Sequence, residues 1–372
     1  MMTPKVSDIL GIINKFAPPV LAEEWDNVGL MVGDPTCAVS RIMVALDGSR
    51  EAVDAAIAAG CQLLLTHHPF LFRPLKRISA NDPTGATVLR AISGGLAVIS
   101  LHTNYDIADG GMNDLLAQRL GMCSAQPLSV TATEELVKLA VFVPQGHEEQ
   151  VSEALFRFSG TVGNYRDCSF RSGGIGTFRP LEGARPFLGA VGVREQVAET
   201  RIEVLVRKEM VSSALTALLK AHPYEEPAFD LYPLLNRGAA QGLGRIGYLA
   251  EETTLASFAD AVKAKLDLVG VRLVGDAGRR VKKVALCGGS GMSLLRDAHR
   301  QGADVFVTGD VKYHEARDAE ALGIALLDAG HFGTEAIMVS GVAERLTADL
   351  VPKGFEADVV AFNGERDPFV WR

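Results

Sequence analysis

Short apolar runs that end abruptly in polar residues alternate with amphipathic stretches over most of the chain. Residues 41–47 predict a buried strand, 49–59 the helix after it, and 62–65 the next strand. A helix over 83–93 and a strand over 96–101 continue the rhythm, which implies βαβ units and a parallel sheet. Ahead of them, residues 7–16 read as a short helix capped by Ser7 and closed by Pro18 and Pro19. The pattern changes at about residue 128. A strand (136–144), a helix (148–158), a strand (164–170), a Gly-rich loop (172–176), a strand (201–207), a helix (211–221) and a strand (228–233) follow. That order, βαββαβ, is the ferredoxin-like arrangement. Gly242, Gly244 and Gly247 mark a re-entry into the first rhythm. Helices are then predicted over 257–266, 293–300 and 334–346, and strands over 281–286, 305–307 and 324–327. The expected fold is α/β: a discontinuous core of residues 1–127 and 241–372, interrupted by a ferredoxin-like insert of residues 128–240.

Length supports this division, because 372 residues are too many for one ordinary core. No apolar run approaches a membrane span. The N-terminal stretch carries Glu23, Glu24 and Asp26 and lacks a basic region followed by an apolar block, so a cytoplasmic protein is expected. Five cysteines without close pairs suggest neither a disulfide framework nor a Cys-type zinc site. A formal charge of −8 argues against a nucleic-acid partner.

The chemistry gathers at strand ends. The run Leu63-Leu64-Leu65-Thr66 stops in His67-His68-Pro69. Inside a strand, adjacent side chains point to opposite faces; just past its end, two histidines can share a target. The strand over 96–101 is followed by His102 and, four residues on, Asp106. The strand over 324–327 is followed by His331 and, again four residues on, Glu335. A four-residue spacing puts both members of a pair on one helical face. Four of the chain's 8 histidines lie in these places. Nitrogen and oxygen donors without thiolate suit Zn, Mn, Fe or Co. The set is too small to saturate two divalent ions yet ample if a carboxylate bridges, which leaves positions for water. Two such ions would outweigh the charge of Asp106 and Glu335, favouring a hydroxide nucleophile and an anionic small-molecule substrate.

These motifs, with Thr308-Gly309-Asp310, Tyr313-His314, Trp25-Asp26-Asn27-Val28-Gly29-Leu30 and Asp367-Pro368-Phe369, resemble one family across nearly the whole chain. It is the dinuclear metal-centre family known as GTP cyclohydrolase 1 type 2 homologues. The resemblance implies that His67, His68, His102, Asp106, His331 and Glu335 hold two divalent ions per chain. It also implies a PII/CutA-like insert and assembly into a homohexameric toroid whose metal sites face an inner cavity.

The expected function is a dinuclear-metal-dependent hydrolase of a small nucleotide-like or phosphorylated substrate, with GTP ring opening as one version. A hexameric metal-binding scaffold or metal buffer with a sensing insert is the alternative. Asp310 and His314, just past the strand over 305–307, are candidate catalytic residues for proton transfer, with hydrogen-bonded packing as the competing role. The glycines of 288–291 could cradle a phosphate or merely make a tight turn. Arg245 could bind an anion or form a salt bridge. His222 sits in a polar loop of the insert, and His147 and His299 read as surface residues.

Overall fold

The computed structural model describes residues 2–160, 162, 164–370 and 372. The chain divides into two compact units, Met1–Ala132 with Gln241–Arg372, and Thr133–Ala240. Both boundaries fall at or beside long strands, Met122–Pro144 and Phe229–Thr254, rather than in loops.

In the first unit, a five-stranded sheet runs in the order Gly29–Val32, Ala97–Ser100, Leu63–Thr66, Arg41–Ala45, Asp358–Ala361. Its first strand is antiparallel and the other pairings are parallel. The strand Leu63–Thr66 is buried along its whole length, as a central parallel strand covered on both faces should be. Helices flank it with conventional caps. The Ser49 hydroxyl accepts from the Ala52 amide at the start of Arg50–Ala58, and Asp82 accepts from Gly85 ahead of Pro83–Ser93. A second sheet in this unit pairs Arg280–Leu286, Val305–Thr308 and Ala325–Asp328 in parallel, with Arg272–Val274 antiparallel at its edge. One apolar cluster joins the two sheets, since Val44, Leu65 and Ile99 of the first pack in it with Leu286, Val307 and Leu327 of the second.

The helix expected over 334–346 is two helices, His331–Glu335 and Ile337–Leu350. The first is a single turn, short enough to act as a holder for its two polar ends. No helix among the described residues is long and apolar enough to cross a membrane.

In the second unit, the strand portion Leu136 to Pro144 pairs antiparallel with Glu195–Arg207, which pairs antiparallel with Ser169–Phe178. Helices Glu148–Phe156 and Val211–Ala221 close one face over Leu139, Val141, Ile202, Val204 and Val206. The Gly-rich segment expected to be a loop lies within a strand instead: Gly173 is opposite Thr200 and Gly176 opposite Val197. Glycine weakens a strand interior but does not forbid it where a neighbour fixes the ladder.

His222 is buried in this unit. Its Nε2 donates to the Phe142 carbonyl at 3.0 Å, while its Nδ1 accepts from the Tyr224 amide at 3.1 Å. Both nitrogens are thus committed in the neutral form, and burial lowers its pKa below the ordinary 6.5. A histidine lowered on folding binds protons more readily when unfolded. Its stabilising contribution is present above about pH 6.5 and is lost as pH falls toward the folded value. The thermal midpoint of the wild type should therefore fall below that pH, whereas a His222→Gln variant, with no proton to gain there, should give a flatter profile.

Candidate metal centre

The strand order brings the carboxyl ends of both sheets of the first unit to one place. His67 and His68 follow Leu63–Thr66, His102 follows Ala97–Ser100, and His331 opens the one-turn helix after Ala325–Asp328. The Nε2 of His68 lies 3.2 Å from the Nε2 of His331 and 3.0 Å from Glu335 Oε2. His331 Nε2 is also 3.0 Å from that oxygen. The other oxygen of Glu335 faces His67 Nε2 at 3.7 Å, and Asp106 Oδ1 stands 3.6 Å from the same nitrogen. Two groups of mutually close donor atoms result: His67, His68 and His102, and His68, His331 and Glu335.

Three histidines are aimed by carboxylates. Asp47 holds His68 Nδ1 at 2.7 Å, Asp26 holds His102 Nδ1 at 2.8 Å, and Asp310 holds His331 Nδ1 at 2.7 Å. A carboxylate on Nδ1 keeps the proton there and presents the Nε2 lone pair to the cluster. The Asp26 carboxylate and the Asp47 backbone are themselves anchored. Asp26 accepts from the Thr103 amide and hydroxyl. Glu365, far along the chain, accepts from the amides of Leu46 and Asp47 at 2.8 and 2.7 Å. Asp310 adopts φ 56°, a left-handed conformation that aspartate tolerates better than most residues.

His67 differs from the other three. It is 0% exposed, and neither ring nitrogen has a hydrogen-bond partner among the described residues. A wholly buried imidazole without partners costs free energy that an electron-pair acceptor at Nε2 would recover. Its surroundings, three further imidazoles and two carboxylates, are the donor chemistry of a borderline divalent ion. The residues present therefore fit a metal centre.

Electrostatics agree with a site short of positive charge. Burial pushes the Asp106 carboxyl up from its ordinary value. Burial opposes ionisation of Glu335 too, but attraction to the facing His67 and hydrogen bonds from His331 and His68 hold it well below its ordinary value. Burial also opposes charge on His68, yet the hydrogen bonds it donates to Asp47 and Glu335 push it up to about 10. Burial pushes the Cys287 thiol up, helped by Asp106 and Glu335, so it offers no thiolate.

The glycine turn after Arg280–Leu286 is a wall of the site, not a phosphate cradle. Three of its four amides are already taken: Gly288 donates to Asn113 Oδ1, Gly289 to the Thr334 hydroxyl and Gly291 to the Thr308 hydroxyl, each at 2.9 Å. Gly289 has φ 59°, and a Cβ there would stand 2.2 Å from Glu335 Oε1. Arg245 is likewise committed. It is 2% exposed, forks onto both oxygens of Asp114 at 2.6 and 2.7 Å, and donates to the carbonyls of Ala108, Gly242 and Gly244. Of the two candidates for proton transfer, Asp310 joins the cluster through His331. His314 does not: it is exposed at the start of Tyr313–Leu322, with no hydrogen bond or ion pair to the cluster among the described residues. Asp26 and Asp47 were not among the expected site residues, although Asp47 follows a strand end just as the histidines do.

A cavity of about 980 Å³ opens beside His331 and Asp310. Its lining carries Lys312, Arg272 and Arg366 beside the carboxylates of Asp267, Asp310, Asp328, Glu365 and Asp367, and Phe332 and Phe369 bring aromatic surface.

Comparison with known proteins follows this geometry. A family model described as Duf34/NIF3 (NGG1p interacting factor 3) matches residues 4–368. The chain belongs to the Duf34/NIF3 family. Within it, the chain is 43% identical over 364 residues to the GTP cyclohydrolase 1 type 2 homolog of Bacillus subtilis (strain 168), covering 98% of this chain and 97% of that protein. The crystal structure of a Bacillus cereus protein related to NIF3 superposes with a TM-score of 0.94 at 40% identity, each chain covered fully. The Staphylococcus aureus protein SA1388 gives 0.75 at 30% identity, also with full coverage of both chains. The α/β architecture is thus that of the Duf34/NIF3 proteins.

Proposed function

We propose that this Duf34/NIF3 protein is a dinuclear-metal-dependent hydrolase of a small, anionic, nucleotide-like or phosphorylated substrate. The observation that carries the reading is the buried His67 with both nitrogens unpartnered, facing Asp106 and Glu335. His67, His102, Asp106 and Glu335 Oε1 would hold one ion, and His68, His331 and Glu335 Oε2 the other. When bound, two divalent ions supply Lewis acidity and lower the pKa of water toward neutrality.

The chain's own groups do the rest. Asp26, Asp47 and Asp310 keep three imidazoles in the required tautomer and orientation. Lys312 and Arg366 offer an anionic group two cations in the neighbouring cavity, whose lining also holds five carboxylates and whose volume lies in the range of small-molecule sites. Phe369 and Phe332 offer faces against which a base or other flat group can pack. Asp310 acts as a positioning residue through His331, and His314, exposed and without a bond to the cluster, takes no part in this arrangement. The homohexameric toroid and a PII/CutA-like insert with a sensing role belong to the same reading, the former checked by sedimentation equilibrium.

The test is turnover of GTP, other nucleotides and phosphate esters by metal-loaded wild type and Asp106→Asn. Asp106→Asn should lose at least about 100-fold in kcat/KM, equivalent to about 2.7 kcal/mol of transition-state stabilisation, while remaining assembled. Two bound ions without turnover on any of these substrates would instead favour a metal-binding scaffold. His314→Ala should leave kcat and KM within about twofold of wild type, whereas a loss of about 100-fold in kcat would restore a proton-transfer role to it. Asp310→Asn should instead weaken metal retention by roughly 10–100-fold.

A further inference from the structure

A second cavity, of about 240 Å³, lies wholly within the unit Thr133–Ala240. Its walls include the rings of Phe142, Phe178, Phe187 and Tyr224. The Tyr224 ring lies 5.8 Å from Phe178 and 6.2 Å from Phe187, centroid to centroid, at 59° and 48°. Three carboxylates line it with the rings, Glu199, Glu225 and Glu226, against one guanidinium, Arg179. Nearby, Arg201 lies over Phe142 at 5.9 Å and is paired with Glu203 at 3.0 Å.

Glu199 is the telling residue. It is 8% exposed, and its Oε1 accepts the Tyr224 hydroxyl at 3.0 Å, while its Oε2, with no hydrogen-bond partner among the described residues, is open to solvent and not among the buried unpartnered atoms. A Cβ at Gly176 would stand 2.0 Å from that oxygen, so the carboxylate is held against bare backbone. That oxygen is free to take a donor and a positive charge from a guest in the cavity.

We propose that this cavity binds a small organic cation, an ammonium or guanidinium group. Aromatic faces attract cations through their quadrupoles, and the attraction grows when both are withdrawn from water. Glu199 would pair the charge from the cavity wall, while Glu225 and Glu226 draw cations to the mouth. A free anion would meet more carboxylates than cations. A neutral apolar guest would leave Glu199 Oε2 as it stands. The volume equals about eight waters, enough for a trimethylammonium or alkylguanidinium head with a short stem.

Isothermal titration of the full-length protein with choline and methylguanidine tests this, with 3,3-dimethyl-1-butanol as choline's uncharged counterpart in shape. Saturable binding of a cation is expected, with the neutral alcohol at least about tenfold weaker. Glu199→Gln should weaken cation binding about tenfold. Because that variant alters a buried group, Phe187→Leu at a half-exposed position provides a second test and should cost about threefold. No saturable heat with either cation would overturn the proposal. Equal binding of choline and the alcohol, or cation binding unchanged in both variants, would overturn it as well.

Discussion

Replacing Glu335 with glutamine should empty both metal positions. Glu335 reaches across the cluster, with Oε1 toward His67 and Oε2 at 3.0 Å from both His68 and His331. It is 4% exposed, so no water can take over its role without the site opening. Glutamine has nearly the same shape but turns one end of this bridge into an N–H donor. Either orientation of the amide points that donor at imidazole nitrogens or at a bound cation, and the site loses a full negative charge. Metal affinity should fall by more than the roughly 10–100-fold expected for the outer carboxylates Asp26 and Asp47. Metal content after dialysis against a weak chelator, measured by plasma mass spectrometry, reads the effect. Retention of wild-type content by Glu335→Gln would show that Glu335 bridges nothing.

Arg245→Met should be the most damaging change to folding outside the metal centre. The guanidinium is fully occupied, with two bonds to Asp114 and three to carbonyls. Methionine fills much of the volume but serves none of these acceptors, and it leaves Asp114, 26% exposed, without its cation. Breaking a buried pair from one side costs about 3–5 kcal/mol. The denaturation midpoint of the metal-free protein should drop accordingly. The double variant Arg245→Met with Asp114→Leu should recover part of the loss, because no unpaired charge then remains. A loss below about 1 kcal/mol for the single variant would mean that the carbonyls and Asp114 find water instead.

The convergence of His67, His68, His102 and His331 was legible in the sequence because each stands just past an apolar run, and a strand's carboxyl end is where a parallel sheet leaves side chains free to converge. Pairs spaced by four, His102 with Asp106 and His331 with Glu335, marked the helical turn that brings them to one face. Their orienting carboxylates were harder to see. Asp26 reaches His102 from 76 residues away, and Glu365 reaches Leu46 and Asp47 from more than 300. Such partners obey no local period, because tertiary packing alone brings them together. The fates of Gly288–Gly291 and Arg245 were ambiguous for a related reason. Whether an amide or a guanidinium is free for a ligand depends on acceptors such as Asn113, Thr334 and Asp114, which lie on other elements. The strand through Gly173 and Gly176 escaped notice because glycine carries no side-chain pattern, so only its partner strand reveals it.

The central claim is that two ions share Glu335, and anomalous diffraction from crystals grown with saturating zinc or manganese tests it most directly. Two peaks about 3.5–4 Å apart are predicted, one among His67, His102 and Asp106 and the other between His68 and His331, with Glu335 contacting both. A single peak, or none, in crystals whose six donor side chains are ordered would contradict the account.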